Sequence, residues 1–63
     1  MSRAAKTEQT RDSILNAAES MFSSQGYQAT TINQVAGEVG IQGPAIYKHF
    51  ANKRALFEEV VER

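Results

Sequence analysis

Between Thr30 and Lys53 the sequence TTINQVAGEVGIQGPAIYKHFANK sets its apolar residues, glycines and single proline at spacings that suit two short helices joined by a turn of fixed length. Thr31 offers a hydroxyl to cap free backbone N–H groups, and Gln34, three residues on, completes a T-x-x-Q capping box. Ile32, Val35, Ala36 and Val39 then fall at i, i+3, i+4 and i+7, one apolar stripe of a helix. Gly40 stands at the expected C′ position, where a left-handed backbone ends a helix and glycine bears it without strain. Ile41 plugs the turn. Gly43 and Pro44 restart a helix, with Gly43 as N-cap and Pro44, which has a preset φ and no N–H to waste, at N1. Ile46 and Phe50 anchor this second helix inward, leaving Ala45, Tyr47, Lys48 and His49 mostly outward. Ala36 sits where the two helices must approach most closely. The pattern predicts a helix-turn-helix, whose second helix is presented to a DNA major groove while the first lies across the backbone.

The rest of the chain is bounded by its size. Its 63 residues make one small domain, near the lower limit for an unaided hydrophobic core. No cysteine is present to staple it, and a single histidine builds no metal site, so neither a metal nor another cofactor is expected. The same shortage, with no clustered carboxylates, leaves nothing from which to assemble a nucleophile or a general base, so no enzyme is expected. No apolar run approaches the ~18 residues of a membrane span, and the N-terminus lacks a signal-peptide core. The expected location is the cytoplasm, with no membrane partner.

A net charge of zero argues at first against a nucleic-acid partner. The distribution reverses the argument. From Val39 to Phe57 the only charges are Lys48, Lys53 and Arg54, and Met1 to Arg11 carries Arg3, Lys6 and Arg11 against Glu8. Acids are confined to the stretches on either side: Asp12, Glu19 and Glu38, then Glu58, Glu59 and Glu62 against Arg63. Such a polarised domain faces an anionic partner one way round.

Along the chain, Met1 to Gln9 is polar and without apolar periodicity, and reads as a mobile arm. A helix follows, N-capped by Thr10 or, in a longer version, by Thr7. Its buried stripe is Ile14, Leu15, Ala18, Met21 and Phe22, and Gly26 stops it. Tyr27 is expected to insert its ring into the core near the helix-turn-helix. A last helix begins after Asn52, a good N-cap, with Leu56, Phe57, Val60 and Val61 on its apolar side. The expected fold is all-α: a small bundle with a homeodomain-like three-helix core and the start of a fourth helix, spanning residues 10–63.

These residues carry a family resemblance. The layout T-R-x-x-I-L-x-A-A-x-x-x-F-x-x-x-G-Y-x-x-T-T-I-x-x-V-A-x-x-x-G-I, then A-I-Y-K-H-F-x-N-K-x-x-L-F, resembles the N-terminal DNA-binding domain of tetracycline-repressor-type (TetR family) regulators over about Thr10 to Val61. Two positions depart from the commonest pattern, which has Ser at Gln42 and Gly at Pro44. The resemblance implies sequence-specific binding of double-stranded DNA by Gln42, Gly43, Pro44 and Ala45 at the start of the reading helix, with Gln42 suited to pair bidentately with adenine. It implies that Tyr47 and His49 face phosphates and Lys48 a phosphate or guanine. Thr31 and Lys53 would hold the DNA backbone from either side, with an added contact from Asn33. It further implies a C-terminal domain, absent from these residues, that dimerises and binds a small-molecule effector. The full-length protein is then expected to be a homodimeric repressor on a two-fold operator, released by effector, and this piece a monomer. The competing expectation, a helical protein–protein interaction module, calls for an exposed apolar face where this chain has tyrosine, lysine and histidine.

Overall fold

The computed structural model describes residues 3–63, with side chains from residue 9 onward. It contains α1 (Arg3–Gln25), α2 (Ile32–Val39), α3 (Gly43–Ile46) and α4 (Lys53–Glu62), and no strand among the described residues. α1 packs against both α2 and α4, and α2 against α3.

α1 starts earlier than the sequence reading has it. Thr10 lies inside the helix, which runs back to Arg3 through residues expected to form an arm. The physical reason is that polarity is not a stop signal: Ala, Lys, Glu and Gln are good helix formers, and neither Gly nor Pro interrupts them. The placement of Met1 and Ser2, and the side chains of Arg3 and Lys6, lie outside the described residues. The other end of α1 falls as expected, at Gly26 with φ +89°, whose N–H donates to the Phe22 carbonyl at 3.0 Å.

The core gathers Ile14, Leu15 and Ala18 from α1, Ile32, Val35 and Ala36 from α2, Ile46 and Phe50 from the second helix of the motif and its exit, and Leu56 from α4. Each fully buried aliphatic side chain here contributes about 1.5–3 kcal/mol relative to exposure. Thr30 is the buried polar residue, and its hydroxyl donates to the Gly26 carbonyl at 2.8 Å, tying the α1–α2 turn shut. Tyr27 does not enter the core beside the helix-turn-helix. Its ring packs instead with Phe22 and Phe57, at centroid separations of 5.6 and 5.0 Å, and bridges α1 to α4. Val61, expected on the apolar side of α4, is exposed.

Candidate DNA interface

α2 is built as its local signals dictate. The Thr31 hydroxyl accepts from the Gln34 N–H at 3.1 Å while the Gln34 carboxamide accepts from the Thr31 N–H at 3.2 Å, the reciprocal capping box. Gln25, at the end of α1, steadies this cap from outside by donating to Gln34 Oε1 at 2.9 Å. At the other end Gly40, with φ +89°, and Ile41 both donate their N–H to the Ala36 carbonyl, at 2.9 and 3.0 Å. That pins the turn to Ala36, which is itself buried.

α3 is offset by one residue from the sequence reading. Its N-cap is Gln42, not Gly43, so Gly43 takes the first helical position and Pro44 the second. Gln42 has the extended backbone usual for an N-cap residue, φ −83° and ψ 151°, but its side chain makes no capping bond. Pro44 still costs nothing at the second position, because that N–H has no intrahelical acceptor either. The regular helix closes at Ile46. Hydrogen bonds from Lys48 N–H to Ala45 O and from His49 and Phe50 N–H to Ile46 O carry a further turn as far as Phe50. Tyr47, Lys48 and His49 therefore sit on a tightened final turn, held by the buried Ile46 and Phe50.

Thr31, Asn33, Gln42, Pro44, Tyr47 and Lys48 are exposed, and Gly43, Ala45, His49 and Lys53 are half-buried. Tyr47 stands out, with 54% of its surface exposed although it is a large aromatic. Asn33 and Gly43 are brought into direct contact across the two helices of the motif.

Lys53 is placed where sequence reasoning gave no hint of it. Its ammonium donates to the carbonyls of Tyr27 at 2.8 Å and Thr30 at 2.9 Å and lies 4.1 Å from the centroid of the Tyr27 ring. The first residue of α4 is thus fastened to the α1–α2 turn, next to Thr31. Both carbonyl acceptors of the Lys53 ammonium are non-local, 26 and 23 residues away in sequence, so spacing carries no trace of them. Arg11 is a second residue that sequence reasoning passed over. Its guanidinium pairs with Glu59 of α4 and stands 4.8 Å from the centre of the Phe50 ring. The signal that finds it is its position one turn before Leu15, on the buried stripe of α1.

Comparison with known proteins agrees with this geometry. The family described as bacterial regulatory proteins, tetR family, matches residues 14–60. The HTH-type transcriptional regulator AcrR of Shigella flexneri is 41% identical over 98% of this chain and 30% of its own length. The HTH-type transcriptional repressor KstR2 of Mycolicibacterium smegmatis is 39% identical over 81% of this chain and 25% of its own. A solved structure from Vibrio parahaemolyticus, described as a transcriptional regulator of the TetR family, superposes with a TM-score of 0.77 at 39% identity, over 81% of this chain and 28% of that one. The chain thus spans between a quarter and a third of the length of these relatives. With its helix-turn-helix, its residues 14–60 and its neighbours all in agreement, the chain belongs to the TetR family of bacterial regulatory proteins.

Proposed function

We propose that this chain binds double-stranded DNA in a sequence-specific manner and is the reading unit of a transcriptional repressor that works in the cytoplasm and carries out no catalysis. The observation that carries the reading is the final turn of the motif. Tyr47 and Lys48 project from it into solvent, backed by buried Ile46 and Phe50, in a stretch of sequence without a single acid from Val39 to Phe57. Relatives named as a transcriptional repressor and as a negative transcriptional regulator support the same role.

In this reading the second helix enters the major groove. Gln42 meets a base edge, Pro44 and Ala45 give apolar contact, and Tyr47, Lys48 and His49 line the phosphates with Thr31 and Lys53. Gln42 makes no capping bond, so its carboxamide is free to pair with adenine. Dimerisation on a two-fold operator and release by a small-molecule effector are functions we assign to a further domain, and the 63 residues alone to a monomer that grips one half-site weakly.

The test is a DNA-binding titration over a range of salt concentrations. Each phosphate contact should lower log K by about 0.9 per unit of log salt. An affinity indifferent to salt, or equal for every DNA sequence at all salt concentrations, would sink the reading.

A further inference from the structure

The α1–α2 turn is stitched together by side chains as well as by backbone. From one side the Lys53 ammonium donates to the Tyr27 and Thr30 carbonyls. From the other, Gln25, the last residue of α1, reaches forward with its amide nitrogen, which donates to Gln34 Oε1 at 2.9 Å and to Thr30 Oγ1 and the Ala29 carbonyl at 3.3 Å each. Gln34 Oε1 thereby receives two donors, since the Thr31 N–H also points to it at 3.2 Å. This fixes the sense of the Gln34 carboxamide. Both neighbours are donors, so the atom between them must be the oxygen, and the amide nitrogen must lie on the other side of the planar group. That nitrogen has no partner among the described residues, and Gln34 is exposed. Its two N–H donors are left beside Thr31 at the first turn of α2. A glutamate, the other residue that completes a capping box, would accept the same two bonds and have no donor to spare.

We propose that Gln25, which lies on α1 and outside the helix-turn-helix, is a positioning residue for DNA binding: it holds the Gln34 carboxamide with its oxygen inward, so that the amide nitrogen of Gln34 faces the DNA backbone next to Thr31. Gln25 touches no DNA itself. Without its bond the Gln34 group is held by the Thr31 N–H alone, on an exposed side chain, and binding must then order it at an entropic cost. The inference rests on the DNA-binding reading above. It extends the interface back to α1 through a bond between side chains and not through the core. Because phosphates carry no sequence information directly, the effect belongs to affinity and not to base choice.

The experiment compares the native chain, Gln25→Met, Gln34→Met and the double variant, methionine keeping the length of the stem and removing the carboxamide. Both positions are exposed and outside the core, and the Thr31 hydroxyl still accepts the residue 34 N–H, so all four proteins are expected to fold. Binding to short DNA duplexes of unrelated sequence is measured at low salt, below the melting transition of every variant, where a loss of stability alone does not reach the binding constant. Gln25→Met should weaken every duplex alike by about 2- to 12-fold, the worth of one hydrogen bond. The double variant should bind no more weakly than Gln34→Met, since Gln25 acts through Gln34. In NMR spectra the side-chain amide resonances of Gln34 should shift when duplex is added to the native chain and stay in place in Gln25→Met. The proposal is overturned if Gln25→Met binds as the native chain does, if it changes the preference among duplexes, if the losses of the two single variants add, or if the Gln34 amide responds equally in both proteins. Should the native chain bind no duplex at all, the DNA-binding reading falls first and this inference with it. Native binding that leaves the Gln34 amide resonances unmoved overturns the inference alone.

Discussion

At the scale of single residues, Lys53 joins stability to the proposed contact. An ammonium has three donors, and two are spent on the Tyr27 and Thr30 carbonyls while the stem and charge lie against the Tyr27 ring. One donor remains for a phosphate. Lys53→Met keeps much of the apolar stem over the ring and removes every donor and the charge. Loss of charge-assisted bonds to two part-buried carbonyls should destabilise the domain by about 1–3 kcal/mol, read by urea denaturation. In the DNA titration the salt slope should fall by about one phosphate contact, alike for all sequences. An unchanged midpoint in urea would mean the carbonyl bonds contribute nothing net, and an unchanged slope would free Lys53 of any role at the DNA. The two readouts separate the anchor from the contact, which a single binding measurement would confound.

At the scale of elements, the α2–turn–α3 unit depends on a small side chain at Ala36, which is 1% exposed and whose carbonyl receives both Gly40 and Ile41 N–H. Ala36→Leu would force α3 away and strain that turn, at a cost of about 1–3 kcal/mol. For a domain of this size each kcal/mol should lower the thermal midpoint by roughly 4–8 °C, and a scan of ellipticity at 222 nm would measure it. A midpoint within error of the native one would show that the helices separate freely, contrary to the packing at this contact. α2 was legible from sequence because every signal that bounds it is local: Thr31 caps through Gln34 three residues on, and Gly40 closes onto Ala36 four back. The start of α1 was not legible, since nothing between Arg3 and Thr10 marks a boundary and helix formers simply propagate. In the candidate site, the outward Tyr47 and Lys48 followed from the inward spacing of Ile46 and Phe50. The Asn33–Gly43 contact and the Lys53 anchor did not, because each depends on how separate segments meet in space. Tyr27 was misplaced for the same reason: its partner Phe57 lies in α4, beyond the reach of any local pattern.

At the scale of the whole molecule, Arg11 is the residue at which α1, α4 and the end of the reading turn meet. Its guanidinium pairs with Glu59 and stands over Phe50, the last buried residue of that turn. The ion pair is more than a third exposed on both sides, at 39% and 38%, so its own worth is small, about 0–1 kcal/mol. The contact with Phe50 adds a cation–π attraction of about 0.5–1 kcal/mol and covers the ring with the arginine stem. The two partners of Arg11 are therefore unequal, and the inequality is measurable. Glu59→Ala should cost no more than about 1 kcal/mol, because it removes only the exposed pair. Arg11→Ala should cost about 1–2 kcal/mol, because it also uncovers Phe50. Against a total stability of about 3–9 kcal/mol for a chain of this length, the difference is resolvable in urea melts with unchanged slope. Amide exchange at Lys48, His49 and Phe50, whose N–H groups are bonded to Ala45 and Ile46, should quicken in Arg11→Ala and stay near native in Glu59→Ala. Equal costs for the two variants, with equal exchange, would mean that Arg11 acts only through Glu59 and that α1 does not brace the reading turn.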